Sequence, residues 1–377
     1  MSQLNQDWEV KSLDDLDSQG LKLVSEFFNE HFPGVFFPEC TPEIFEWKLG
    51  ITNPAGLGFL TVAMCNGLVV GTASGTRKLL VENGELIKAV EIGDTFTHPD
   101  FRKNGKCVSP ISVNQSNDCY FTLSVFGRLV SETILRAKMS GVEFIYGTPN
   151  ENSKPPYLKR LQFREIDHGD ISANVLLTSR FARLAKIRLL LDLYEYLTQF
   201  FSEAIGYLVF GRNSIQELSE EDFLASIDNK IISTESKPTK LYLVQESSVF
   251  KHRYLMHPNH KYRFFGIKIK GVINGVLITT EIYRASGVRT LVVSDWLFSD
   301  PKVQKRLAIF VSKLRSHTQE PEAVSYWEYG GYSRLSKLFL GIIAHKNVSV
   351  IGKDFRTSDS GMKVQFGDFR MGWSDNG

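Results

Sequence analysis

The chain has 377 residues, too many for one average hydrophobic core and suited to two domains. Hydrophobic residues make up 42% and charged residues 23%, the usage of a folded globular protein, which excludes a disordered or fibrous chain. With 44 Lys and Arg against 42 Asp and Glu the formal charge is only +2, so no strong field exists to hold a polyanion and nucleic acid is not an expected partner.

The opening residues MSQLNQDWEV carry neither a basic start nor an apolar run, which predicts no secretory signal and a cytoplasmic protein. Cys40, Cys65, Cys107 and Cys119 form no Cys-x-x-Cys pair and read as reduced thiols. In chain order, Phe59–Ala63 has a strand pattern, a turn carries Gly67, and a second strand carries Gly71. A further strand pattern, Lys88–Asp94, ends in an aspartate. Leu123, Phe126, Val130, Ile134 and Ala137 then share one helical face, with Gly141 as a stop. A strand at Val142–Tyr146 and another helix follow.

From Ile171 to Tyr207 Gly and Pro are nearly missing, which predicts one or two connecting helices. Its apolar part, Leu184–Phe210, is interrupted by Lys186, Arg188, Asp192, Glu195 and Glu203, so it reads as packed helix and not as a membrane span.

The pattern then repeats. Thirteen residues separate Pro54 from Gly67 and Pro258 from Gly271, and four separate Gly67 from Gly71 and Gly271 from Gly275. Phe264–Ile269 precedes the second pair of glycines, and Thr290–Asp295 again ends in an aspartate. Asp300-Pro301 supplies a cap and first-turn proline for a helix with Val303, Leu307, Phe310, Val311 and Leu314 on one face, followed by a strand at Ala323–Trp327. The expected organisation is a duplication: a first domain at 1–170, a helical connector at 171–207 and a second domain at 208–377.

The segment from Asp94 to Lys106 places Arg102, Lys103 and Lys106 with Gly105 in a tight loop after a strand. Such a loop can turn backbone N–H groups toward a pyrophosphate, or it can be a solvated basic turn. Three pieces together, Thr97-His-Pro-Asp-Phe-Arg-Lys-Asn-Gly-Lys106, Tyr146-Gly-Thr-Pro-Asn150 and Tyr157-Leu-Lys-Arg-Leu-Gln-Phe163, resemble the GNAT family of N-acetyltransferases. The resemblance takes in Trp47-Lys48, Asn53-Pro54 and the Gly67-x-x-x-Gly71 hairpin, and covers roughly Phe36 to Phe163.

This resemblance implies an α+β fold of two GNAT-like domains, each a mixed, mostly antiparallel sheet flanked by helices. It implies that the strand ending near Thr97 splays from the strand at Val142, and that the pantetheine of acetyl-CoA enters the gap beside Phe96 and Thr97. Arg102, Lys103, Asn104, Gly105 and Lys106 would hold the pyrophosphate, and Asn150 and Ser153 would lie along the pantetheine. Trp47, Lys48, Asp94 and Asn150 are the expected acceptor-binding residues, Asp94 the general base, acting directly or through water, and Tyr157 the acid for the departing thiolate.

The sequence departs from the family pattern in Gly105-Lys106-Cys107, in about fifteen residues, Cys107–Phe121, between loop and helix, and in Tyr157 standing six residues before Phe163. The second half has no basic glycine loop after Asp295, which implies a degenerate domain that binds no coenzyme. His252, His257 and His260 lack a cysteine partner, so a loop role is expected and no metal. Tyr326-Trp327-Glu328-Tyr329 is core and rim, or a stacking surface.

The expected acceptor is a small-molecule amine. Tandem chains of this look resemble bacterial acetyltransferases of surface-polysaccharide pathways, which implies a nucleotide-linked amino sugar, with amino acid, peptide and polyamine acceptors open. An aminoacyl transferase of the Fem type and a catalytically silent acetyl-CoA-binding protein are the rival readings, and oligomeric state is not set by the sequence.

Overall fold

The computed structural model describes residues 7–16, 18–31, 39–102, 124–167, 171–177, 215–228, 240–269, 271–284, 287–298, 307–314, 323–329, 342–356 and 365–366, with five positions between 193 and 204. The first half opens with strand β1 (Glu9–Ser12) and helices α1 (Ser18–His31) and α2 (Pro42–Leu49). An antiparallel arch follows, β2 (Phe59–Cys65), β3 (Leu68–Glu82) and β4 (Glu85–Thr97). Asn66 and Gly67 join β2 to β3 with φ of 51° and 79°, and Asn83 and Gly84 join β3 to β4 with 54° and 83°. Two positive φ values in succession match the twist of the flanking strands, which is why Asn-Gly fits both turns. Helix α3 (Val125–Met139), strand β5 (Phe144–Gly147), helix α4 (Lys154–Arg160) and strands β6 (Arg164–Glu165) and β7 (Ile171–Leu177) complete this half.

The second half repeats the order. Strand β8 (Ile215–Leu218), helix α5 (Glu220–Asp228) and strand β9 (Lys240–Leu243) lead to helix α6 (Ser247–Phe250), which runs on into a π-helical turn, Lys251–Leu255. The arch is β10 (Tyr262–Ile269), β11 (Val272–Tyr283) and β12 (Arg289–Phe298). Helix α7 (Leu307–Leu314) and strands β13 (Ala323–Tyr329), β14 (Ile342–Asn347), β15 (Ile351–Asp354) and β16 (Gln365–Phe366) follow.

Two sheets result. The first runs β1-β2-β3-β4-β5-β15-β6, with β9 on the far part of β3 and β16 on β9; the second runs β8-β10-β11-β12-β13-β7-β14. Among the described residues the parallel neighbours along the two paths are β4 with β5 and β12 with β13, so both sheets are mixed and mostly antiparallel. The sixth place in each is filled from the other half: β15 lies between β5 and β6, and β7 between β13 and β14.

This exchange corrects the expected division of the chain. Residues 171–177 are not connecting helix but a strand flanked on both sides, and 351–354 belong to the first sheet although they lie in the span assigned to the second domain. The remaining connector lies almost wholly outside the described residues. A run such as Ile-Ser-Ala-Asn-Val-Leu-Leu has no helical breaker, but it has the β-branched content of a strand paired on both edges.

The duplication extends to backbone register. In the first arch Ala63 faces Gly71 and Met64 faces Val69; in the second Ile267 faces Gly275 and Lys268 faces Ile273. Each position is offset by 204, and each arch is bulged at the same step. The second glycine of each pair is required by packing: a Cβ on Gly71 would lie 2.7 Å from Val125 Cγ1, and one on Gly275 would strike the Phe298 ring and come to 2.8 Å of Leu297 O.

Each sheet carries a core on both faces. Helix α3 covers Val90, Ile92 and Ile145 through Leu129, Val130 and Ile134, while α1 and α2 cover Leu60, Val62 and Val69 on the opposite face. In the second sheet α7 covers Leu291, Val293 and Val324 with Leu307, Phe310 and Leu314. Among the described residues no helix is long and apolar enough to cross a membrane.

Candidate active site

Strands β4 and β5 run side by side for three pairs, Ala89 with Phe144, Val90 with Ile145 and Glu91 with Tyr146, and then part. At the vertex Gly147 lies against Ile92, where a Cβ would come within 2.9 Å of Ile92 Cγ2 and 3.0 Å of Ile92 O. Beyond it β4 continues to Thr97, held on its other side by β3 through Phe96 with Thr72 and Thr97 with Gly71. The cleft between the diverging strands is the splay expected from the sequence. Its open edge consists of the backbone of Gly93–Thr97.

Asp94 sits at an irregularity in that edge, between the pairs Ser74–Gly93 and Thr72–Phe96. Its φ is 45°, a left-handed conformation that aspartate tolerates better than most residues. The bulge is pinned by Thr72 Oγ1, which donates to Asp94 O at 2.7 Å. The carboxylate is buried and takes two donors on one oxygen, Lys48 Nζ at 2.7 Å and Ser74 Oγ at 2.6 Å, both to Oδ2. Among the described residues Oδ1 is the oxygen left to receive a proton. Cys40 lies close by, and burial, reinforced by the charge of Asp94, pushes its thiol up to about 12, so it is an inert neutral neighbour.

Tyr157 approaches the same edge from the α3 side. Tyr157 OH lies 3.1 Å from Thr95 Oγ1 in a hydrogen bond, and Thr95 Oγ1 is also 3.1 Å from Gly93 O. Burial pushes Tyr157 up to about 12. Its ring packs edge-on against Phe126 and Phe163, at centroid distances of 5.4 and 5.1 Å. The extra residue between Tyr157 and Phe163 is absorbed at Gln162, which takes a φ of 58° and lets Phe163 N donate back to Tyr157 O.

Arg102 is exposed at the end of the short turn Pro99–Phe101, with Nε donating to Thr97 O at 3.2 Å and the guanidinium 5.7 Å from the Phe96 ring centroid. Among the described residues no further hydrogen bond of its fork is seen. Lys103, Asn104, Gly105, Lys106 and the segment Cys107–Phe121 lie outside the described residues. The start of α3 nevertheless returns to the strand end, since Val125 packs on Gly71, the partner of Thr97, and Ser124 Oγ caps the helix by accepting from Gly127 N. A helix N-terminus is thereby brought to the mouth of the cleft.

The other predicted residues are placed differently. Lys48 is buried on Asp94, and Trp47 leans across to the second half. The Trp47 indole donates to His252 O at 2.8 Å, its ring stacks on His252 at 5.4 Å, and His252 Nε2 donates to Trp47 O at 3.1 Å. Asn150 Oδ1 accepts from Asn152 N, Ser153 N and Ser153 Oγ, so both side chains are engaged in the turn that leads into α4. His257 Nδ1 accepts from Asn259 N and His260 N, the turn role that Asn53 Oδ1 has for Ala55 N in the first half. Tyr326 is core and Trp327 packs on the cluster around Leu80 and Tyr146, so neither is a free stacking surface.

Glu91 and Lys78 were not singled out in the sequence. They form a buried ion pair at 3.4 Å on the same sheet face as Asp94 and Lys48. The signal was an acidic residue at a core position of the pattern Ala-Val-Glu-Ile, matched by a lysine in the facing strand.

The second half has the corresponding carboxylate, and among the described residues its strands leave no corresponding cleft. Asp295 is buried and accepts from Tyr254 OH at 2.8 Å and Trp296 N at 2.8 Å. Strands β12 and β13 part after Val293 and Tyr326, but Trp296 fills the gap, its indole donating to Trp327 O at 3.0 Å.

No family model and no curated protein matches the sequence. Solved structures do. A protein of unknown function from Enterococcus faecalis V583, described as a probable N-acyltransferase, superposes with a TM-score of 0.52 at 14% identity, over 92% of this chain and 72% of its own. N-myristoyltransferase of Saccharomyces cerevisiae with bound myristoyl-CoA superposes with 0.53 at 12% identity, over 96% and 89%. The fold is GNAT-like in both halves. At these identities the likeness is one of fold, and the chemistry rests on the residues in the cleft.

Proposed function

We propose that the chain is an acetyl-CoA-dependent N-acetyltransferase whose first half binds the coenzyme and carries out the transfer, while the second half builds the acceptor side. The observation that carries this reading is the parting of β4 from β5 beyond Glu91 and Tyr146, with a buried carboxylate on one flank of the opened edge and a phenol on the other. The backbone of Gly93–Thr97 suits a pantetheine amide, and Arg102 with the start of α3 suits the pyrophosphate. Lys103, Asn104, Gly105 and Lys106 are assigned to the same pyrophosphate cradle.

Acetyl-CoA supplies the thioester. The acceptor amine attacks its carbonyl carbon, a C–N bond forms, the C–S bond breaks, and the proton lost by the amine passes to Asp94 directly or through water. Tyr157, held at about 12, is neutral at any working pH. Passing its proton outright to a thiolate of ordinary pKa, about 8.5, would run uphill by roughly three units or more. Its part is therefore a hydrogen bond to the departing sulfur, and the proton on the free thiol comes by way of the solvent or Asp94.

A nucleotide-linked amino sugar is the acceptor we favour. A free-thiol assay with acetyl-CoA and a panel of amino sugars, amino acids and polyamines tests the function. Thiol release that depends on the acceptor is expected. Saturable binding of acetyl-CoA without turnover on any acceptor would replace the enzyme by a silent coenzyme-binding protein, and failure to bind acetyl-CoA would remove both.

A further inference from the structure

Between the halves, α2, β3, β9 and α6 enclose a cavity of about 40 Å³. A single water needs about 10–15 Å³ on this measure, so there is room for a few waters or one compact polyatomic group. Its polar lining is one-sided. Lys48, Lys78 and Arg253 reach its wall and, among the described residues, no Asp or Glu side chain does, Asp94 and Glu91 standing behind the two lysines. Arg77 contributes only its base, because its Nε donates to Leu57 O and its Nη2 to Ser140 Oγ on the other face of the sheet.

The wall also holds an unsatisfied group. Thr76 is 3% exposed and lines the cavity, and among the described residues its Oγ1 has no hydrogen-bond partner. A buried hydroxyl without a partner is uncommon, and it points to a missing acceptor. Three cationic side chains and an unpaired hydroxyl around a space of this size match an oxyanion.

We propose that this junction is a binding site for a compact oxyanion, the phosphate or carboxylate of a small molecule, held by Lys48, Thr76, Lys78 and Arg253. Thr76 donates its hydroxyl and the cations donate charge-assisted hydrogen bonds. Because Lys48 touches both the cavity and Asp94, and because Arg253 comes from the second half, an occupant ties the site of transfer to the domain that lacks a cleft of its own. The site does not depend on the chain being an acetyltransferase.

Thermal unfolding and calorimetric titration of the full chain with inorganic phosphate and with acetate, at ionic strength held constant with chloride, test this. Saturable stabilisation by at least one of the two anions is expected. Thr76→Val, which keeps the shape and removes the hydroxyl, and Arg253→Gln should each weaken binding about tenfold, as for one hydrogen bond to a charged group. Absence of saturable stabilisation beyond chloride, or equal affinity in wild type and both variants, overturns the proposal and leaves a cavity holding water only. Once turnover is established, the anion raising KM for the acceptor with kcat unchanged identifies the acceptor's own anionic end as the occupant. A change in kcat with acceptor KM unchanged identifies a separate effector. Loss of acetyltransferase activity from the picture would leave the binding measurement standing.

Discussion

Asp94 combines three properties that seldom coincide: a left-handed φ, burial, and a carboxylate oxygen that receives both an ammonium and a hydroxyl. Asp94→Asn keeps the shape and removes the proton acceptor, so kcat should fall by about 10²–10⁴ while the KM for acetyl-CoA changes little. Arg102→Ala should do the reverse, raising the dissociation constant for acetyl-CoA in a direct titration with a smaller effect on kcat. An exchange of these two patterns would reverse the assignments. Tyr157 links the site to pH. Its folded-state value, about 12, lies above the ordinary 10, so its contribution to stability is complete below pH 10 and is lost as pH rises to 12. Tyr157→Phe should therefore flatten the loss of melting temperature between pH 10 and 12, though part remains because Tyr254 is also raised by burial and by Asp295. At the acid end burial lowers His260 below its usual 6.5, and stability from its neutral ring is present above 6.5 and is lost as pH falls.

Among the elements, β15 has the least room for error. Gly352 lies between β5 and β6, and a Cβ there would strike Ile166 and come to 2.9 Å of Phe144 Cζ and 3.0 Å of Ile145 O. Gly352→Ala should cost about 1–3 kcal/mol in urea unfolding, as overpacking of a core does. The turn glycines Gly67 and Gly84 face open space, and their positive φ alone makes them glycine positions. The two glycine roles in one repeat, turn and close approach, are thus physically distinct. Likewise α3 is fixed at the end of β3 and β4 by its apolar face, which packs on Val90, Ile92 and Gly71.

At the scale of the whole molecule the two sheets depend on each other. Each receives a central strand from the other half, and the halves also meet through the reciprocal Trp47–His252 contact and through Asn259 Nδ2 donating to Glu39 O at 2.8 Å. Cutting the chain at 207/208 would leave each part without its exchanged strand and with two unpaired edges. The separate parts should not fold on their own, and the full chain should unfold in a single calorimetric transition. Two resolved transitions, or a stable isolated first half, would show that the exchange is dispensable.

The sequence by itself determined the α+β class, the duplicated arch with its turn glycines, and the order of strand, helix and strand in each half, while the strand it ended at Asp94 runs on to Thr97. These follow from local rules: period-two and period-3.6 burial, and Asn and Gly at positive φ in the turns. Tertiary structure alone decided that β7 and β15 change sheets, that Lys48 pairs with Asp94, and that Trp296 reaches Trp327 O beyond the end of the β12–β13 pairing. In each of these cases the outcome depends on which residue arrives from a distant part of the chain. A strand paired on both edges, a lysine on α2 or a tryptophan after an aspartate reads the same in sequence whichever neighbour it finally meets.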